Sequence, residues 1–148
     1  MILTGFFDTL MVGKLGTAEL AAAGVSNSIF FFIAIFPLGV TMAYATIISI
    51  LQGKNKTTSY SLLARDSFLT TMLLAVIGSI CIYFIIDFFY LFQQTEEVAL
   101  LSKPYLKLLM WSLSPMLLFF FAKNVTDGFS YTIGGMNITL LALGINVF

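Results

Sequence analysis

Long uncharged, apolar runs alternate with short polar stretches along this chain. No residue from Leu20 to Gly53 is charged, and Asn27 to Ile50 forms the first complete apolar run. About 20 such residues, rising roughly 1.5 Å each, match a bilayer hydrocarbon core of about 30 Å. Ser67 to Ile86 is the second uncharged run, extended by aromatic residues to Phe92. Tyr105 to Ala122 is the third apolar run, and its one charged residue, Lys107 near the start, can snorkel to the interface. The pattern predicts three full helical spans, 27–50, 67–92 and 105–122. Met1 to Gly13 is largely apolar with Asp8 its one charged residue, and Ile138 to Phe148 is largely apolar and uncharged, with Thr139 and Asn146 its polar side chains. As helices these end segments cover only about 20 and 16 Å. They read as partial spans, 1–13 and 138–148. The expected fold is an all-α, polytopic transmembrane helix bundle in one unit, 1–148.

Four polar stretches read as connections: Lys14–Ser26, Gln52–Asp66, Gln93–Pro104 and Lys123–Asn137. Gly53 can end a helix. With Lys107 counted in the third, alternate connections carry four Lys/Arg against three, a small positive-inside difference. The grouping of Lys54, Lys56 and Arg65 in the second places it, and the start of the chain, on the cytoplasmic side. Tyr83, Tyr90 and Phe92 cluster at one end of the second span, and Tyr105 and Trp111 near the start of the third. Rings with polar tips favour the interface, so these residues read as a lipid-facing belt.

Composition sharpens the picture. The 148 residues are 59% hydrophobic and 9% charged, with zero formal net charge and a mean hydropathy of +1.02. Soluble domains carry about 25% charged residues, and seven Lys/Arg with seven Asp/Glu cannot cover 16 Phe in water. A water-soluble domain, a disordered chain and a basic nucleic-acid binder are all excluded. Cys81 is the single cysteine and histidine is absent. No intrachain disulfide can form, and the commonest general base and metal ligand are missing. An enzyme, a resident metal and a cofactor are therefore not expected. Met1 to Val12 lacks the Lys or Arg of a signal-peptide n-region.

Asp8 is closely flanked by apolar residues in Gly5-Phe6-Phe7-Asp8-Thr9-Leu10-Met11. A carboxylate at that depth costs a few kcal/mol and commonly marks an ion or proton pathway. An interfacial position on a short amphipathic stub is the plainer alternative. Thr9 can support the carboxylate by hydrogen bonding. Asp87 lies close to the polar Gln93–Glu97 stretch and can reach water, and Glu96 and Glu97 read as solvated loop residues. Pro37 and Pro115 lie near the middles of their spans, where each removes a helical hydrogen bond and can serve as a hinge or only a packing kink. Gly39 and Ala43 are spaced to admit another helix. Asn146 is a polar amide within Leu143–Phe148 that can pair with a helix or coordinate a cation.

The stretch Gly5-Phe6-Phe7-Asp8-Thr9-Leu10-Met11-Val12-Gly13-Lys14-Leu15-Gly16, followed by Glu19-Leu20-Ala21-Ala22-Ala23-Gly24, resembles the first helix and loop of MATE transporters, the multidrug and toxic compound extrusion proteins of NorM/DinF type. Ile48 to Gly53, ending in Gln52-Gly53, resembles the Gln-x-x-Gly region closing the family's second helix, without its two spacer residues. Tyr105-Leu106-Lys107 through Ser114-Pro115 resembles the fourth helix. Asp127-Gly128-Phe129-Ser130-Tyr131-Thr132 is similar to the loop after it, which in the family reads Asp-Gly-x-Gly-x-Thr-x-Pro. Here Ser130 replaces the second Gly and no Pro follows Thr132. The resemblance implies the back of helix one, helices two to four and the start of helix five, within a fold of about twelve helices in two lobes. It implies an integral protein of the cell (inner) membrane that exports cationic amphipathic compounds in exchange for H⁺ or Na⁺. Asp8 would then bind the coupling ion and Asn146 would support it. Three spans and two stubs would need further helices or partner chains to transport. The alternative is a non-transporting membrane remnant or small helical interaction protein.

Overall fold

The computed structural model describes residues 12–14, 16–54, 60–87, 95–130, 133 and 136. It contains three long α-helices: α1 (Thr17–Gly53), α2 (Tyr60–Asp87) and α3 (Glu96–Gly128). All three are long and apolar enough to cross a membrane. Their 37, 28 and 33 residues amount to roughly 55, 42 and 50 Å of helix, so each outruns the hydrocarbon core. No strand occurs among the described residues. The architecture is an all-α transmembrane bundle.

Every helix extends into residues that the polarity pattern assigns to connections. Thr17–Ser26 is helical, as are Tyr60–Asp66, Glu96–Pro104 and Lys123–Gly128. Polarity marks where a chain leaves lipid, and a helix need not stop there. Ala18, Ala21, Ala22 and Ala23 are strong helix formers that carry α1 back toward Gly16. Glu96 and Glu97 are not loop residues; they occupy the first turn of α3, where a negative charge complements the helix dipole. Pro104 sits within α3 on an exposed face, where the carbonyl it frees can meet solvent or headgroups. At the end of the second span, α2 is described to Asp87, and 88–92 lie outside the described residues.

The helix ends have identifiable causes. Gly16 precedes α1 at φ 152°, a backbone region that L side chains rarely adopt, and a Cβ there would collide with the Glu19 carboxylate. Beyond α3, Ser130 adopts φ 60°, and its N–H donates to the Asp127 carbonyl over 2.9 Å. This closes the helix with a left-handed residue, a position that glycine usually fills.

α1 and α3 run parallel: Ser102 reaches the Ala22 carbonyl near their starts, and Ser49 reaches the Gly128 carbonyl near their ends. α2 runs antiparallel to both, with Tyr60 against Phe129 at one end and Gly78 against Leu113 and Ile33 near the middle. Buried positions on α1 (Ala22, Ser26, Ile29 with Phe30, Ala34, Pro37, Thr41, Tyr44, Ile48) recur at three- and four-residue steps, the seam of closely packed helices. The apolar core joins Ile29, Phe30 and Ala34 with Ala75, Ile82 and Ile86 and with Leu106, Leu113 and Leu117. Between helices already in lipid, packing and small residues substitute for a hydrophobic driving force. Gly78 and Gly128 supply the close approaches. Gly39 and Ala43 do not: both are exposed, and no atom lies within 4 Å of where a Gly39 Cβ would stand.

Candidate functional site

The buried side chains divide along the bundle axis. The apolar core lies toward the end where α3 begins. Toward the other end, where α1 finishes and α2 starts, the interior is polar. Thr41, Ser67, Thr71 and Asn124 are buried there, together with Tyr44. Moving from the Gly78–Ile33 contact toward this end, α1 passes Thr41 and Tyr44 while α2, running the other way, passes Thr71 and Ser67. α3 reaches the same depth at Phe121, whose ring meets Tyr44 edge-on at 6.0 Å and Phe68 at 6.1 Å. Asn124 follows one turn later. Five polar side chains from three helices thus form one layer.

Each helix contributes to the layer because the residues share its inward seam. Thr41 and Tyr44 are one turn apart between buried Pro37 and Ile48, and Ser67 and Thr71 continue the stripe of Ala75 and Gly78. Thr41 is fully buried; its hydroxyl donates to the Leu38 carbonyl over 2.8 Å and accepts from Asn124 Nδ2 at 3.3 Å. The Thr71 hydroxyl donates to the Ser67 carbonyl over 2.8 Å. The Tyr44 hydroxyl is buried without a hydrogen-bond partner among the described residues. On the outer side of the layer, Lys123 Nζ donates to Asp127 Oδ2 over 2.6 Å, with both groups partly buried. The Ser49–Gly128 bond, 3.3 Å long, clasps the same end. The arrangement locks α1 against α3.

A second, smaller polar set lies near the starts of α1 and α3. Ser102 Oγ donates to the Ala22 carbonyl at 3.4 Å, and the Tyr105 hydroxyl lies 3.5 Å from Asn27 Oδ1, both at the outer limit of hydrogen bonding. Tyr105 is therefore turned partly inward rather than standing in a lipid-facing belt. Trp111 is exposed, as a belt residue should be, but it lies near the middle of α3. α3 begins at Glu96, well before the apolar run, so the middle of this helix is not the middle of the bilayer. Tyr83 is exposed and lines an open groove of about 300 Å³ with Val76, Ser79, Ile80, Met110 and Ser114.

Asp8 and Asn146 lie outside the described residues, as do Tyr90, Phe92 and nearly all of the two partial spans. Pro37 and Pro115 are both inside helices. Pro37 faces the seam between helices, and Pro115 faces outward. Asp87 is exposed at the end of α2. Among the described residues no three His, Cys, Asp or Glu come together as a metal-holding group. The polar layer is what the residue-by-residue reading missed. Thr41 with Tyr44 and Ser67 with Thr71 are spaced to share a face with Ala34 and Ala75, but spacing alone does not say that this face meets a neighbour.

Comparison with known proteins covers the whole chain. A family model described as MatE matches residues 1–148. A protein named "Probable multidrug resistance protein NorM" from Pasteurella multocida is 29% identical over 143 residues, which are 97% of this chain and 31% of that protein. One of the same name from Oceanobacillus iheyensis is 30% identical, covering 97% of this chain and 32% of its own length. "Multidrug resistance protein MdtK" of Pectobacterium atrosepticum is 26% identical, covering 97% and 32%. The chain spans about a third of the length of these relatives. No solved structure gives a significant match.

Proposed function

The chain belongs to the MatE family, and from that premise we propose that it works within a secondary multidrug efflux antiporter, together with further membrane helices. It is an integral, multi-pass membrane protein. The observation that carries the proposal is the family match along all 148 residues, supported by relatives whose names describe multidrug resistance. In this reading the cargo is cationic and amphipathic, the exchanged ion is H⁺ or Na⁺, and the protein resides in the cell (inner) membrane. No cofactor takes part and no covalent chemistry is assigned.

Asp8 is assigned to the coupling ion and Asn146 to its support. An acidic group flanked by Phe6, Phe7, Leu10 and Met11 is costly in lipid unless it serves an ion or proton path. Transporters of this kind move one group of helices against another around a shared site. Pro37 is the better-placed hinge of the two prolines, since it interrupts α1 where that helix packs against its neighbours. Pro115, facing outward, can bend α3 without moving an interface. The end carrying Lys54, Arg65 and Lys123 is assigned to the cytoplasm by the positive-inside tendency.

The experiment is dye retention. Cells producing the chain with the helices that complete its lobes should accumulate less of a fluorescent cationic dye than cells without it. Equal retention would refute the transport reading and favour a non-transporting helical membrane protein.

A further inference from the structure

We infer that the polar layer is a binding site for a buried water, held by the Tyr44 hydroxyl and the open acceptors opposite it. Tyr44 is 7% exposed, and its hydroxyl has no partner among the described residues. A buried hydroxyl left unsatisfied forfeits a hydrogen bond, and the surrounding lipid offers no replacement. Long side chains on a helix lean toward its N-terminus, so the Tyr44 hydroxyl leans from its own turn toward the level of Thr41 and Thr71. There the Thr71 hydroxyl has spent its proton on the Ser67 carbonyl and keeps a lone pair. Asn124 has donated one N–H to Thr41, and among the described residues its amide oxygen meets no donor. Tyr44 supplies a proton, and the groups from α2 and α3 supply acceptors.

A water is the guest that suits this set. It accepts the Tyr44 proton and donates its own two protons to the lone pairs of Thr71 and Asn124. That makes three hydrogen bonds, the usual number for a buried water. A larger ligand does not suit the layer, because Phe121 packs against both Tyr44 and Phe68 and closes it from the side. The water would link α1, α2 and α3 at a point where no direct bond joins Tyr44 to Thr71.

The test uses the full chain in lipid nanodiscs with three variants: Tyr44→Phe, Thr71→Val and the double variant. Each replacement removes a polar function and keeps the shape. A shared water predicts that Tyr44→Phe lowers the melting temperature by about 3 °C. It also predicts that the double variant falls no further than the worse single one. An unchanged or raised melting temperature for Tyr44→Phe would overturn the inference, since removing a dry, unsatisfied hydroxyl relieves the fold. Additive losses would overturn it too. The tyrosine Raman doublet, taken as wild type minus Tyr44→Phe, should show a hydrogen-bonded hydroxyl; a free-hydroxyl signature would overturn it independently of stability.

Discussion

Alanine at Gly128 should push α1 and α3 apart, whereas alanine at Gly78 should be absorbed. A Cβ on Gly128 would lie 2.8 Å from Ile48 Cβ, 3.0 Å from Ile48 Cγ2 and 3.0 Å from the Ala45 carbonyl oxygen. Ordinary contact begins near 3.4 Å, so α1 must retreat by the difference, 0.6 Å. Ile48 Cβ and the Ala45 oxygen are fixed to the α1 backbone and cannot rotate away. A retreat of that size forfeits about a quarter or more of the dispersion attraction at the contact. It also stretches the Ser49–Gly128 bond, already 3.3 Å long. Overpacking of this kind costs about 1–3 kcal/mol. The helix-propensity gain of alanine is small at the last residue of α3. A net loss of about 2 kcal/mol is expected for Gly128→Ala. At Gly78 the closest atom is the terminal Cδ2 of Leu113, 2.7 Å away, which a side-chain rotation can clear; Ile33 Cγ2 at 3.6 Å is in ordinary contact. There the mid-helix gain of alanine over glycine, about 1 kcal/mol, offsets the adjustment. Unfolding by denaturing detergent in mixed micelles measures both. Gly128→Ala matching the wild type, or Gly78→Ala proving the more damaging, would refute the packing argument.

Three further outcomes follow from hydrogen-bond and dipole accounting. Thr41→Val leaves the Asn124 N–H without its acceptor, whereas Asn124→Leu leaves the Thr41 proton on the Leu38 carbonyl. The first should therefore cost about 1 kcal/mol more than the second in the same unfolding titration. Ser130→Gly removes a left-handed serine; a relief of about 1–2 kcal/mol against about 0.4–1 kcal/mol of added chain entropy predicts a small gain in thermal stability. Removing Lys123 leaves Asp127 alone at the negative end of α3, while removing Asp127 leaves a lysine the dipole favours. Lys123→Gln should accordingly melt lower than Asp127→Asn, by a difference that shrinks in high salt.

The bundle was legible in the sequence because lipid demands long uncharged runs, and 27–50 and 105–122 fall wholly within α1 and α3. Helix ends were less legible. Glu96, Glu97 and Lys123 look like loop residues by charge, yet a helix that outruns the hydrocarbon can carry charge in its terminal turns. The packing glycines were also hidden. Gly39 with Ala43 has the spacing of an interface and faces outward, while Gly78 and Gly128 are isolated in sequence and set the closest approaches. Spacing along one helix does not say which face meets a neighbour. The polar layer was hidden for the same reason, since Thr41 and Asn124 lie far apart in sequence and meet only when the helices fix their depth.

Asp8 carries the functional account, and the measurement that tests it most directly is gradient-driven dye transport. Membrane vesicles containing the chain and the helices that complete its lobes would be given an imposed H⁺ or Na⁺ gradient, and movement of a cationic dye would be followed. The account predicts that one of the two gradients drives dye movement and that Asp8→Asn abolishes it, while Gly78→Ala leaves it intact. Gradient-driven transport that is unchanged by Asp8→Asn would contradict the assignment of the coupling ion to this residue.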